Sequence, residues 1–461
     1  MPVPLDRSDP SSATIDLALI RKPARKPHPI GSLLLNPGGP GQPGSEFLRQ
    51  LLASGTFPSA LLDRFDVMSW DPRGTGDSAG IACLTVEDFT EPEPLPYPPT
   101  AAERSKVEAQ AAAQRKRCFD SDGDVIPHVG TLATVEDLDA IRTAVGDDAL
   151  TYVGFSYGTT IGLEYLSLHP DTSRAIVLDG VALPGTDPVT TTRAQMASFE
   201  DNLNRFLDAC RTDRSCTFGG DDPHAALMAF LDRLATGVRI PASYSLPDPS
   251  GVRHTRTGTL GYTEAVNGIA AALYNVDTWS ILRTGLVEAT RSTDPDGHTL
   301  LMLRDLLVGR QVDGTWNHSV EANQAISCAD QSERATSLFG DPARIRAWSK
   351  ELPVFGAFGA AGLPGCYRWP AAIAPLAELT KHDLATAPAV VVVNSAHDPA
   401  TPYANARVAH RLLPGSRLVT WEGDDHTSFA GGHACIDDAV VPYLIEGELP
   451  AAGLRCAAGG G

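Results

Sequence analysis

The sequence predicts an α/β protein: a mostly parallel sheet with helices on both faces, interrupted by a large and mainly helical insertion. Short β-branched apolar runs, unbroken by charge, recur along the chain and read as strands buried on both faces. Between them lie stretches with apolar residues at three- and four-residue steps, the βα alternation of a parallel sheet. This alternation stops near residue 183, gives way to successive helical patterns, and resumes at Pro388.

The strands are expected, in order, at Ser32–Asn36 (SLLLN), Phe65–Trp70 (FDVMSW), Leu150–Phe155 (LTYVGF), Ala175–Leu178 (AIVL) and Ala389–Asn394, with VVVV at its centre. A helix is expected over Thr134–Val145, where Val135, Leu138, Ile141 and Val145 share a face and Thr134 stands in the capping position. Within the insertion, Ala194–Cys210 and Pro223–Leu234 read as helices, and polar segments such as SLPDPSGVRHTRTG read as joints. An insertion of this length exceeds a loop and predicts a cap or lid. The expected organisation is an α/β body built from residues 1–182 and 386–461, with residues 183–385 as the cap.

The 461 residues carry 37 Lys+Arg against 56 Asp+Glu, a formal charge of −19, which argues against a nucleic-acid partner. Hydrophobic residues make up 43% of the chain, enough for a sizeable core. No apolar run approaches the ~20 residues of a membrane span, so no membrane partner is expected. The start MPVPLDRSDP shows no signal peptide. Either a leader was removed before Met1 or the chain is cytosolic. Eight cysteines without CxxC spacing favour the first reading, a secreted protein with disulfides. The expected pairing takes neighbours in order, Cys83–Cys118, Cys210–Cys216, Cys328–Cys366 and Cys435–Cys456; the alternative is buried free thiols in a cytosolic enzyme. No His/Cys/Asp cluster has ligand spacing, so neither a metal nor an organic cofactor is expected.

Two segments match G-x-S-x-G, one around Ser156 (GFSYG) and one around Ser78 (GDSAG). About 0.2 matches are expected by chance, so context decides. A nucleophilic serine on an α/β sheet needs a sharp strand-to-helix turn, with small neighbours to relieve crowding and a helix N-terminus facing the developing oxyanion. Ser156 has LTYVGF before it and GTTIGLEYLSL after it, whereas Ser78 lies in the loop DPRGTGDSAG. GDSAG is also close to the GDSGG of chymotrypsin-like proteases, but those place His and Asp upstream, and only His28 precedes Ser78.

A serine on this turn points to the α/β-hydrolase fold, whose triad runs in the order Ser, acid, His. Asp398 ends the run VVVVNSAHD, and His426 follows in EGDDHTSF after the further strand Arg417–Trp421. His397 would reverse the order, His433 lies close to a cysteine, and Asp424 and Asp425 are too near His426 to orient its ring. In the expected mechanism His426 takes the Ser156 proton and returns it to the leaving group, while Asp398 fixes the tautomer. The amide of Tyr157 supplies one oxyanion donor, and the glycine-rich loop Leu35–Gly41 supplies the other. That loop lacks the Lys-Ser/Thr and GxGxxG features of phosphate cradles.

NPGGPG at 36–41, DPRGTGDS at 71–78 and GFSYGT at 154–159, with ISCAD at 326–330, together resemble the tripeptidyl aminopeptidase branch of the prolyl-aminopeptidase-related α/β-hydrolases. The resemblance implies a secreted serine exopeptidase that cuts short peptides from a free N-terminus. It implies Ser156, Asp398 and His426 as the triad, Gly38 with Tyr157 as oxyanion donors, and Gly39 as the fallback. It also implies Asp71 and Arg73 as a structural pair.

An aminopeptidase must hold an ammonium group, for which a buried carboxylate in the cap is suited. Asp330, Glu264 and Glu333 are the candidates, against the plainer reading of each as a solvated or capping acid. Tyr262, Tyr274, Trp279 and Trp316 could line an acyl pocket or simply pack the core. The expected substrate is therefore a small peptide. The alternatives are a carboxylesterase acting on small esters with the same triad, and a silent binding protein on a hydrolase scaffold. The intact triad argues against the last. The negative net charge would also suit substrates bearing a free ammonium.

Overall fold

The computed structural model describes residues 1–9, 11–331, 335, 337–363, 365–369 and 374–458. Eight strands form the central sheet: β1 (Leu19–Lys22), β2 (Gly31–Asn36), β3 (Phe65–Trp70), β4 (Leu150–Phe155), β5 (Ser173–Asp179), β6 (Val391–Ser395), β7 (Arg417–Trp421) and β8 (Arg455–Cys456). Their spatial order is β1-β3-β2-β4-β5-β6-β7-β8, with β1 antiparallel to β3 and the other neighbours parallel. The apolar runs behave as two-sided strands. Leu34, Tyr152, Ile176 and Val392 bury one face, while Leu33, Leu35, Val153, Val177, Val391 and Val393 bury the other. Alternation is hidden in the sequence because both faces are covered.

Four helices place the site: α1 (Gly44–Ser54), α2 (Thr131–Val145), α3 (Tyr157–Leu168) and α4 (Pro188–Thr212). α2 begins three residues before the expected cap, so Thr134 lies inside it. Its first turn is capped from far away, by Asp330, whose Oδ1 accepts the Thr131 N–H at 2.8 Å. Arg73 and Asp71 do not pair with each other. The Arg73 guanidinium bonds Asp137 at 2.7 and 2.8 Å, and Asp71 accepts the N–H groups of Ser45 and Asp77.

Among the described residues, those between β5 and β6 add no strand to the central sheet. Their helices, α4 among them, pack around Phe199, Leu203, Phe206, Leu231 and Ile269 as a separate core. The segment expected as a polar joint is a β-hairpin, Ile240–Pro247 paired with Arg253–Leu260. Ile240, Ala242 and Tyr244 point inward and alternate with Pro241 and Ser243, a period-two signal overshadowed by the turn residues between the strands. The four disulfides join Cys83 to Cys118, Cys210 to Cys216, Cys328 to Cys366 and Cys435 to Cys456. Among the described residues no helix is long and apolar enough to cross a membrane.

Candidate active site

Ser156 joins β4 to α3 with φ 54° and ψ −124°, a conformation that a residue with a Cβ holds only when its surroundings enforce it. Its N–H donates to the Asp179 carbonyl at the end of β5, at 2.9 Å. The closing glycine of the motif is required by close approach: a Cβ on Gly158 would lie 2.7 Å from the Asn36 carbonyl oxygen.

Asp398 follows β6 and is fully engaged as an acceptor. Oδ1 takes the N–H groups of Ala400 (2.9 Å) and Thr401 (2.8 Å), and Oδ2 takes the Thr401 hydroxyl at 2.8 Å. His426, after β7, donates through Nδ1 to Asp398 Oδ1 at 2.9 Å, which leaves Nε2 unprotonated as a base. The His426 main-chain N–H donates to the Tyr274 carbonyl at 2.8 Å, and the two rings meet edge to face at 5.2 Å. Burial alone would lower the imidazole pKa; the charges of Asp398 and Asp179 and the Asp398 hydrogen bond outweigh it and hold it above its ordinary 6.5.

Asp179 was not singled out in the sequence, although it follows the apolar run of β5 much as Asp398 follows that of β6. Its Oδ2 accepts the N–H groups of Ser428 (2.8 Å) and Phe429 (2.7 Å), pinning the chain two and three residues beyond His426. Oδ1 is buried with no hydrogen-bond partner among the described residues, and burial, followed by the charge of Asp398, raises the carboxyl pKa to about 7.

Ser156 and His426 line one cavity of about 620 Å³, walled by Phe47, Phe155 and Phe429 and, from beyond β5, by Asn275 and Arg310. No hydrogen bond joins the Ser156 hydroxyl to His426 in this geometry. Such bonds commonly close only when substrate is bound. The glycine-rich loop meets the serine turn closely, a Cβ on Gly38 falling 2.9 Å from the Tyr157 nitrogen. The Gly38 N–H, expected as an oxyanion donor, instead donates to Asn36 Oδ1 at 3.0 Å. Asn36 immediately precedes the loop, and its side chain folds back to hold it. The Gly39 and Tyr157 amides have no acceptor among the described residues.

The acids considered for the substrate amine separate. Glu264 does not line the cavity of Ser156 and His426. It pairs with Arg239 and accepts the Glu93 N–H at 2.9 Å, a structural role. Asp330 lines a second cavity of about 540 Å³ that also touches Pro40 and Tyr157, and burial raises its carboxyl pKa to about 6 although Thr131 bonds it. Glu333 lies outside the described residues. The rival triad members are occupied elsewhere: His397 on Asp201, Asp424 on Arg205, Asp425 on the Trp421 indole, and His433 stacked on Trp421. Ser78 is buried in its turn and accepts the Ala18 N–H at 2.8 Å. Of the aromatics considered for an acyl pocket, Trp279 packs on Phe206 and Trp316 on Phe89, while Tyr274 backs His426.

A serine on a strained strand-to-helix turn, an acid after β6 and a histidine after β7, on this sheet order, define a hydrolase of the α/β-hydrolase fold. The chain belongs to that family: residues 31–283 match the family described as alpha/beta hydrolase fold, and residues 352–456 match the TAP-like protein family. It is 35% identical to serine protease Hip1 of Mycobacterium tuberculosis over 98% of this chain and 86% of the relative. It is 34% identical to carboxylesterase B of the same organism (99% and 85%) and 29% identical to tripeptidyl aminopeptidase of Streptomyces lividans (99% and 82%).

Proposed function

We propose that the protein is an exported serine exopeptidase that releases di- or tripeptides from free N-termini. The observation that carries this reading is the Asp398–His426 pair held over the same cavity as the strained Ser156. His426 Nε2 removes the Ser156 proton as Oγ attacks the scissile carbonyl. The Tyr157 and Gly39 amides stabilise the oxyanion, and imidazolium then protonates the leaving amine. Water hydrolyses the acyl-enzyme by the same route reversed. Asp330, lining the second cavity together with Tyr157 next to Ser156, receives the substrate ammonium, because a cation offsets the unfavourable ionisation of a buried carboxyl. Residues 183–385 act as the lid over this site. The relatives named as a serine protease and a tripeptidyl aminopeptidase support a peptide substrate, and the four disulfides support export.

The second reading, a carboxylesterase of small esters, is favoured by the relative of that name, since fold and triad do not fix the substrate. The deciding assay offers Ala-Ala-Pro-, Ala- and Pro-p-nitroanilides, free and N-acetylated, beside a p-nitrophenyl ester. Tripeptide release that disappears on acetylation is expected; turnover of the ester alone would overturn the exopeptidase reading. Ser156→Ala is expected to lose at least about 10⁴-fold in kcat.

A further inference from the structure

Among the described residues, Arg310 is a buried cation without an anion. It lies in the wall of the cavity that holds Ser156 and His426, and it is 5% exposed. Among the described residues it forms no ion pair, and its Nη1 is buried with no hydrogen-bond partner. Its guanidinium rests on the ring of Tyr244, 5.1 Å from the centroid. The carboxylate beyond that ring is already taken: Asp305 accepts the Tyr244 hydroxyl at 2.6 Å and pairs with Arg304 at 2.9 Å and Arg256 at 3.4 Å. Two of the acids lining the cavity are also engaged. Glu46 accepts from Gln50 and Asn317, and Asp425 accepts from Trp421 and Val276. The third, Asp277, is exposed and is not paired with Arg310.

A guanidinium withdrawn from water without a counter-charge is strongly unfavourable, and an aromatic face compensates it only in part. Such a group calls for a partner that arrives with the ligand. A carboxylate matches the planar fork of arginine with two parallel hydrogen bonds. We propose that Arg310 is a specificity-determining residue of the catalytic cavity, and that the enzyme selects substrates carrying a carboxylate. The inference rests on the reading of this cavity as the substrate site of the hydrolase. The carboxylate has two possible sources, an acidic side chain on the acyl side of the scissile bond or the C-terminus of the leaving fragment.

The test compares charged and neutral isosteres within each protein variant. Tripeptidyl p-nitroanilides carrying Glu or Gln at each position probe the acyl side, and Ala-Ala-Pro-Ala as free acid or C-terminal amide probes the leaving side. Wild type is expected to favour the carboxylate by at least about tenfold in kcat/KM in one of these pairs. Arg310→Gln should bring that ratio near one, and Arg310→Lys should restore part of it. Because each ratio is internal to one variant, partial misfolding cancels. Calorimetry adds a readout independent of turnover: glutarate should bind wild type and not Arg310→Gln, and neutral glutaramide should bind neither. Ratios near one throughout wild type, a preference surviving in Arg310→Gln, or no Arg310-dependent glutarate binding would each overturn the proposal. If glutarate binding depends on Arg310 but no peptide is cleaved, the exopeptidase reading falls and the anion site stands; cleavage without any charge preference gives the reverse.

Discussion

Arg73 and Arg310 are both buried, 0% and 5% exposed, and they are satisfied in opposite ways. Arg73, in the loop after β3 of the α/β body, bonds both Asp137 oxygens and the carbonyls of Pro4, Leu5 and His128. Arg310, beyond β5, has the face of one tyrosine. A buried charge with every donor used fixes geometry, joining the N-terminal segment, the loop after β3 and α2 in one arrangement. A buried charge with donors to spare leaves binding capacity. The same residue type at similar burial therefore marks a rigid joint of the α/β body in one region and the selective wall of the cavity in the other.

The rigid region should fail in catalysis first. Asp398→Asn is expected to lower kcat about 10⁴-fold, because the amide no longer selects the tautomer with Nε2 free, while the fold survives; steady-state kinetics on the best peptide substrate would check both. The next largest effect separates the two arginines in stability. Among the described residues, Arg73→Met leaves the buried Asp137 with only the partly exposed Arg7 as partner and is expected to destabilise by about 3–5 kcal/mol in urea unfolding. Arg310→Met strands no counter-charge and is expected to be neutral or stabilising. Equal losses in the two variants would break the contrast.

A smaller effect concerns pH. The acid limb of kcat/KM should lie above the ordinary histidine value of 6.5, because the negative groups around His426 favour imidazolium. Asp179→Asn removes one of those charges while keeping an acceptor for Ser428 and Phe429, so the limb should move to lower pH. Asp398 remains the other charge facing the ring, and the cluster titrates as a unit. An unmoved limb would reduce Asp179 to a loop anchor.

How much of this was legible follows from what each residue depends on. β2, β4 and β6 were readable because burial on both faces demands uninterrupted Leu, Val and Phe. The sharp turn at Ser156 and the proximity of Asp398 and His426 follow from chain order and turn chemistry, which are local. β1 and β8 were not: they lie at the sheet edges, and β8 is two residues long. The start of α2 was misplaced because its cap comes from Asp330, 199 residues away. The engagement of the Gly38 amide depends on how Asn36 folds back, and the isolation of Arg310 is the absence of an ion-pair partner among the described residues. Neither leaves a pattern along the chain.

Glu164 tests whether the satisfied region is satisfied throughout. It lies on α3, 5% exposed, and burial, followed by the charges of Asp330 and Asp383, raises its carboxyl pKa from 4.5 to about 7. The folded state thus keeps a proton there that the unfolded state gives up near pH 4.5. Below that pH the two states bind the proton alike and the stability from this site is fully present; it is lost as pH rises through about 7. Glu164→Gln removes the titration. Its unfolding free energy should therefore exceed that of wild type at pH 8, by an amount of order 1 kcal/mol, and match it at pH 4. Denaturant unfolding at the two pH values checks the sign. Equal pH dependence in variant and wild type would mean that this carboxyl already has the compensation in the folded body that Arg73 has and Arg310 lacks.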